Sequence, residues 1–145
     1  MIRIKAVDAQ NIIDVCELTT NQNVCAAAAG PAYSNAIYIA ETKYNSEMHP
    51  NAIYDNNVLI GFFMYRRAEK QADTATICRF MVDYRYQSKS KKALEYVLRG
   101  LKIRGVRKAV VIIDNKNENE RDLYLSFGFQ FTEKIADGEY YELEL

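Results

Sequence analysis

The spacing of apolar side chains predicts one strand and two helices at the start of the chain. Residues 1–7 alternate apolar with basic or small side chains, which is typical of a half-buried strand. Apolar positions then recur at helical spacing over residues 10–18 and again over residues 33–44. Gly30-Pro31 marks a break between the two helical segments. We therefore expect a strand followed by two short amphipathic helices.

The apolar period changes to two after residue 50, which predicts the beginning of a sheet. Two alternating runs, 51–54 and 58–65, flank the pair Asn56-Asn57. Because asparagine tolerates positive φ, this arrangement predicts a hairpin. A third strand is expected over residues 74–83.

The clearest helix follows the third strand. One of its faces carries Leu94, Val97, Leu98 and Leu101. Gly105 is expected to end this helix. The next segment, 109–113, is a continuous apolar run rich in β-branched residues, typical of a central strand covered on both faces, as in a parallel pair. Strand, helix and strand together predict one right-handed βαβ crossover.

The last third of the chain predicts a short helix and a hairpin. Asn117 stands three residues before Glu120, which indicates an N-cap and a capping box, and Gly128 is expected to stop the helix. Asp137-Gly138 is the strongest hairpin signal in the sequence. We therefore expect a single domain over residues 1–145, of the α/β (α+β) class, with flanking helices on a mixed, mostly antiparallel sheet.

Composition and charge exclude several classes of function. The 145 residues contain 19 Lys and Arg and 19 Asp and Glu, so no net charge draws the protein to nucleic acid or to an anionic membrane. No apolar run approaches the roughly 18 residues of a membrane-spanning helix. The start of the chain does not resemble a signal peptide. We expect a cytoplasmic protein with neither nucleic acid nor membrane as a partner.

The cysteines do not predict a metal site. Cys16, Cys25 and Cys78 are far apart, and the sequence has a single histidine, His49. No CxxC pair is present to supply two thiolate ligands at the usual spacing. Free thiols and the absence of a metal are therefore expected.

Positive charge is concentrated on one part of the chain. Nine basic residues and a single acid, Glu95, lie between Arg85 and Lys108. Here a predicted strand runs directly into a helix N-terminus, where unpaired N–H groups and the helix dipole favour an anion. Lys89, Lys91 and Lys92 could add charge for a diphosphate. The alternative interpretation is a basic, solvated helix start.

Two sequence motifs lie before and after the predicted long helix and the apolar strand 109–113. The first reads Arg79-Phe80-Met81-Val82-Asp83, followed by Arg85-Tyr86-Gln87. The second reads Asn117-x-x-Glu120-x-x-Leu123-Tyr124-x-x-x-Gly128-Phe129. They resemble the acetyl-CoA strand, with the start of the pyrophosphate loop, and the late motif Asn-x-x-Ala-x-x-Leu-Tyr-x-x-x-Gly-Phe of the GNAT acetyltransferases. The resemblance covers residues 51–145 and implies the acyl-CoA N-acyltransferase fold, with acetyl-CoA as cosubstrate.

The resemblance also implies roles for individual residues. The strand at Phe80, Met81 and Val82 would offer backbone N–H groups to the thioester carbonyl and the pantetheine arm. The diphosphate would lie against Gln87, Ser88, Lys89, Ser90, Lys91 and Lys92. Asn117 would both cap its helix and contact the cofactor arm.

Tyr124 matches the family's tyrosine beside the thioester sulfur. A tyrosine of ordinary pKa, about 10, is protonated at neutral pH and can donate to a departing thiolate, whose pKa is near 8.5. The alternative interpretation is an aromatic side chain that packs on the sheet with its hydroxyl at the surface.

The predicted loop departs from the family pattern. Where the family has glycine and then glycine or alanine, this chain has Ser90 and Lys92. Glycine allows the backbone to approach a diphosphate closely. Two functions therefore stay open: an N-acetyltransferase that uses serine hydroxyls and extra lysines instead, or a catalytically degenerate acyl-CoA-binding or regulatory module.

The expected reaction is direct attack of an amine on acetyl-CoA within a ternary complex. Because an ammonium ion has no lone pair, a base is needed, and Glu41 and Asp83 are candidates; both could equally be solvated or capping carboxylates. Residues 51–65 are similar to family members that acetylate small amines, including polyamines and diamines, so a small-molecule primary amine is the expected acceptor. A homodimer through Tyr140, Tyr141 and Leu143 is a further expectation.

Overall fold

The computed structural model describes residues 1–20, 34–115 and 117–145. The interpretations placed on Gly30-Pro31, on Cys25 and on the start of the second helix at Tyr33 lie outside the described residues. The strands are β1 (Ile2–Ala6), β2 (Met48–Asp55), β3 (Val58–Arg66), β4 (Thr74–Val82), β5 (Lys108–Asp114), β6 (Gln130–Lys134) and β7 (Gly138–Glu144). The helices are α1 (Ile12–Glu17), α2 (Asn35–Glu41), α3 (Ser90–Ile103) and α4 (Glu118–Ser126).

All seven of these strands form one sheet, in the order β1-β2-β3-β4-β5-β7-β6. Among them only β4 and β5 pair in parallel, and α3 connects the two. The predicted fold class, a mixed and mostly antiparallel sheet with flanking helices and one βαβ crossover, is confirmed.

Helices cover the two faces of the sheet unequally. One face is buried under α3 and α4, with Leu94, Val97 and Leu101 of α3 and Tyr124 of α4 in the core. The other face is smaller and carries α1 and α2, with Val15 in its core. None of the described helices is both long and apolar enough to cross a membrane.

Two hairpins occur where the sequence predicted them, for different reasons. Asn56 and Asn57 connect β2 to β3 with φ angles of 49° and 74°. These positive values were expected because asparagine tolerates positive φ. Gly138, by contrast, is not among the glycines of positive φ and begins β7. A Cβ atom at Gly138 would lie 2.9 Å from the carbonyl oxygen of Ile113, so this glycine permits close approach of β7 to β5.

The prediction that β5 is covered on both faces is wrong. The strand is central, between β4 and β7, and Ala109, Val111 and Ile113 are buried on the α3 side. Ile112, which points the other way, is 45% exposed. The reason is that α1 and α2 pack against β3 and β2, and do not extend over β5.

The position of the C-terminal hairpin bears on the expected homodimer. The edges of the sheet are β1 and β6, so β7 is an interior strand. Tyr141 on β7 is only 4% exposed and packs edge-to-face on Phe131, with ring centroids 5.8 Å apart. The expectation that Tyr141 supplies a dimer contact is therefore wrong, because its side chain is used inside the monomer.

Candidate active site

The site is built around the place where β4 and β5 stop pairing. Their parallel register runs from Thr74 opposite Lys108 to Ile77 opposite Val111. On its other side, β4 pairs with β3 with a shift in register that leaves Cys78 as the extra residue of a β-bulge. No strand in the described part of the chain pairs with the β5-facing edge of β4 beyond this bulge.

The predicted cofactor strand is this unpaired part of β4. Phe80 packs into the core under α3, whereas Met81 points into the core under α1 and α2. Gly61 on β3 lies opposite the next residue, Val82, and a Cβ atom at Gly61 would come within 2.5 Å of the carbonyl oxygen of Met81. Gly61 therefore allows β3 and β4 to approach closely at the site.

A 3-10 turn over Tyr84–Lys89 joins β4 to α3 where the sequence predicted a diphosphate loop. The side chain of Gln87 donates to the carbonyl oxygen of Val82 at the end of β4. The backbone N–H of Ser90 donates to the carbonyl oxygen of Gln87. One amide at the start of α3 is thus already used by the turn.

The predicted loop lysines differ in their surroundings. Lys89 forms an ion pair with Asp55 of β2, with Nζ 3.4 Å from Oδ2. Lys91 and Lys92 lie exposed in the first turn of α3. The structure therefore brings two exposed positive charges to the N-terminus of α3, while the charge of Lys89 is shared with a carboxylate. Ser88 is exposed in the turn.

Asp83 is a capping carboxylate. Its residue is 1% exposed, and its Oδ2 accepts from the backbone N–H of Thr19 at 3.1 Å. Its Oδ1 accepts from the backbone N–H of Arg85 at 3.1 Å and from the Arg85 Nε at 2.8 Å. Burial acts to raise the pKa of Asp83, but these hydrogen bonds outweigh it and the pKa is lowered. The geometry favours the capping alternative over the role of a base.

Glu41 lies away from the other predicted site residues. It is the last residue of α2, exposed, on the face of the sheet opposite α3 and α4. Burial raises the pKa of the Cys78 thiol, and the Glu41 charge adds to that rise, so Glu41 faces the bulge of β4 from α2. The structure does not bring Glu41 to the same face as Tyr124.

Tyr124 is fully buried between α4 and the sheet. Its ring packs edge-to-face on Phe129, with centroids 5.2 Å apart. Its hydroxyl has no hydrogen-bond partner among the residues that the structure describes. Burial raises the pKa of Tyr124 and the nearby Glu120 charge adds to the rise, so the hydroxyl is protonated at neutral pH. The alternative interpretation placed this hydroxyl at the surface, and that placement is wrong.

Asn117 caps α4 as predicted. Its Oδ1 accepts from the backbone N–H of Glu120 at 3.1 Å, and its Nδ2 donates to the Glu120 Oε2 at 2.8 Å. The amide thus fixes both the helix start and one oxygen of Glu120. Its contact with a cofactor arm stays a prediction.

The sequence interpretation missed a polar cluster beside this site. Arg79 on β4 donates from Nε to the Asn35 Oδ1 at 2.8 Å, and its guanidinium lies over the Tyr38 ring, 5.0 Å from the centroid. Glu120 lies within electrostatic reach of Arg79. The replacement of the motif alanine by Glu120 was the one signal in the sequence that could have pointed to this cluster.

Most of the chain matches a known protein family. Residues 14–129 match the acetyltransferase (GNAT) family. No curated protein sequence matches the chain.

Several solved structures share the fold along nearly the whole chain. An acetyltransferase from Thermus thermophilus superposes with a TM-score of 0.74 at 13% identity, covering 100% of this chain and 97% of the other. Campylobacter jejuni N-acetyltransferase PseH, in complex with acetyl coenzyme A, gives 0.73 at 10% identity, covering 99% of each chain. PaiA N-acetyltransferase from Thermoplasma acidophilum, in complex with coenzyme A, gives 0.69 at 16% identity, covering 100% and 99%. The family match extends over most of the chain, and the chain belongs to the acetyltransferase (GNAT) family.

Proposed function

We propose that this protein is an acetyl-CoA-dependent N-acetyltransferase that acetylates a primary amine of a small molecule. The observation that carries the proposal is the buried, unpartnered hydroxyl of Tyr124, at the tyrosine position of the family's late motif. A buried donor without a partner is costly and rare in folded proteins. An acyl-CoA sulfur beside it would supply the missing acceptor.

The chain offers groups for each part of acetyl-CoA. The unpaired edge of β4 at Phe80, Met81 and Val82 has backbone groups for the thioester carbonyl and the pantetheine arm. The helix dipole of α3 and the side chains of Lys91 and Lys92 favour the diphosphate. When bound, acetyl-CoA supplies the activated acetyl group.

Tyr124 is proposed to be the general acid. Its pKa lies above its ordinary value of about 10, so the hydroxyl keeps its proton at neutral pH and is available to donate it as the C–S bond breaks. Because a thiol, with a pKa near 8.5, is the stronger acid, the proton moves to sulfur only together with transfer of an amine proton to the tyrosine oxygen. Attack by the amine is proposed to be direct, within a ternary complex and without a covalent enzyme intermediate. Burial keeps solvent away from the hydroxyl, so no water competes with sulfur for its hydrogen bond.

The proposed acceptor is a small cationic amine. This part of the proposal is supported by the similarity of residues 51–65 to members of the family that acetylate polyamines and diamines. Those residues form β2 and β3, next to the cofactor strand β4.

A second candidate function is binding of an acyl-CoA without turnover, as a regulatory module. It is favoured by the Ser90 N–H, which is engaged by the Gln87 carbonyl oxygen, and by Ser90 and Lys92 at the family's small-residue positions. The first feature removes one backbone N–H group from those that can meet a diphosphate, and the second hinders close approach of the backbone to it.

The two candidates are separated by a transfer assay. Purified protein is incubated with acetyl-CoA and, in turn, with 1,4-diaminobutane, spermidine and 2-phenylethylamine. Free thiol release and the N-acetyl product are both measured. Equal amounts of thiol and N-acetyl amine support the transferase, whereas acetyl-CoA binding with no product from any amine supports the binding module. Neither binding nor product would contradict both.

A further inference from the structure

Glu120 lies in the first turn of α4. Glu120 replaces the alanine of the family motif and stands four residues before Tyr124. Residues four apart lie on the same face of a helix, one turn from each other. The Glu120 carboxylate therefore belongs to the same side of α4 as the proposed acid.

The Glu120 carboxylate is held in place through one of its two oxygens. The Asn117 amide binds Oε2, and no hydrogen bond among the described residues engages Oε1. Arg79 from β4 and Asp114 from β5 act on the carboxylate through their charges, and the Glu120 charge in turn acts on Tyr124 of the same helix. Burial and the charge of Asp114 raise the pKa of Glu120, and Arg79 opposes part of that rise. The carboxylate is thus partly desolvated, which makes it a better proton acceptor than a fully solvated glutamate.

We propose that Glu120 is a catalytic residue of the transfer, which binds the ammonium group of the acceptor and accepts its proton. This inference rests on the proposed function. It gives the site a base on the same helix face as its acid. Glu41 lies on the opposite face and Asp83 is occupied by three N–H donors, so Glu120 is better placed than either.

The proton balance of the step is complete. The ammonium nitrogen gives one proton to the Glu120 carboxylate, and the resulting lone pair forms the C–N bond to the acetyl carbonyl carbon. The C–S bond breaks with its electron pair on sulfur, and Tyr124 gives its hydroxyl proton to that sulfur. The second nitrogen proton passes to the Tyr124 oxygen, and Glu120 releases its proton to solvent. The products are the N-acetyl amine, the free thiol and one proton.

The pH profile distinguishes this role from a purely structural one. With Glu120 as base, the reacting forms are the Glu120 carboxylate and the ammonium ion of the acceptor. Both forms predominate between the pKa of Glu120 and that of the amine, about 10.4, so kcat/KM is flat over that range. Without the base, only free amine reacts. In that case kcat/KM rises tenfold per pH unit up to the pKa of the amine.

The test compares Glu120→Gln with wild type, using the best amine of the transfer assay between pH 6 and 9.5. Glutamine keeps an oxygen for Asn117 and is also a capping-box residue, so α4 is preserved. We expect about a 100-fold lower kcat/KM for the amine at pH 7, a tenfold rise per pH unit, and an acetyl-CoA dissociation constant within about twofold of wild type. Glu118→Gln, on an exposed residue of the same first turn, is the matched control and should retain the wild-type profile.

Failure of this inference differs from failure of the proposed function. If wild type turns over an amine and Glu120→Gln keeps both its rate and its flat profile, the role of Glu120 is overturned while the transferase stands. If wild type yields no N-acetyl product from any amine, the transferase and the base are overturned together. Glu120→Ala, which restores the family residue, should lose the flat profile as Glu120→Gln does; a flat profile in this variant would also contradict the inference.

Discussion

Ile77 of β4 and Val111 of β5 are the last residues that the parallel strands bring into register. Directly after Ile77, the extra residue Cys78 shifts the register of β4 against β3. From there to Val82, β4 keeps a partner on one side only among the described strands. The candidate site thus results from a local change in strand pairing.

Replacement of Tyr124 by phenylalanine separates chemistry from packing. Because the Tyr124 hydroxyl is buried without a described partner, its loss should leave the free energy of unfolding unchanged or raise it by up to about 1 kcal/mol. Loss of the proposed acid should lower kcat about 100-fold. Urea unfolding and the transfer assay measure the two effects. Tyr96→Phe on α3 is the control, and a full rate in Tyr124→Phe would rule out tyrosine as the acid.

Two glycine substitutions should change stability in opposite directions. In Gly61→Ala, the new Cβ atom would lie 2.5 Å from the Met81 carbonyl oxygen, which should cost about 1–3 kcal/mol. In Gly100→Ala, the Cβ atom would lie 3.8 Å from the nearest described atom, on Ile4. Since Gly100 is within α3, alanine there should stabilise by about 0.5–1 kcal/mol. Thermal unfolding of both variants tests the close approach of β3 and β4; equal effects would contradict it.

Asp83→Asn should lose stability in a pH-dependent way. The pKa of Asp83 is lowered in the folded protein, so its ionised carboxylate stabilises the fold above its unfolded pKa of about 3.9. This contribution is lost as the pH falls through the folded value. At pH 7 the variant should be about 1–3 kcal/mol less stable, with the difference from wild type shrinking below about pH 4. Exposed Asp122→Asn is the control, and a difference independent of pH would contradict the capping role.

The lysines at the start of α3 should affect cofactor affinity. Lys91→Ala and Lys92→Ala should each weaken acetyl-CoA binding several-fold at low salt, and less at high salt because exposed charges are screened. Lys102→Ala, in the last turn of the same helix, should leave the affinity unchanged. Titrations at two salt concentrations measure this. Equal affinity in all three variants would mean that the diphosphate does not lie at this helix end.

Local features of the fold were predictable from the sequence. The Asn56-Asn57 turn and the Asn117 cap depend on side chains within a few residues, and both formed as expected. The exposure of Ile112 was not predictable, because it depends on which strands α1 and α2 cover. The same is true of Gly138, whose role is set by β5.

The motifs pointed to Tyr124 and to the β4 strand, whose roles stay predictions, but they could not reveal the distant contacts around these residues. The hydrogen bonds from the Thr19 N–H to Asp83 and from Arg79 to Asn35 join residues far apart in sequence, which periodicity cannot reveal. Glu120 was noticed only as a departure from a motif, because its partly buried environment is created by β4 and β5.

The dependence on acetyl-CoA is tested most directly by isothermal titration of the purified protein with acetyl-CoA and, in parallel, with coenzyme A. We expect saturable binding of one acetyl-CoA per chain in the micromolar range. Absence of binding at millimolar acetyl-CoA would contradict it, and would show that the fold is kept without its cofactor site.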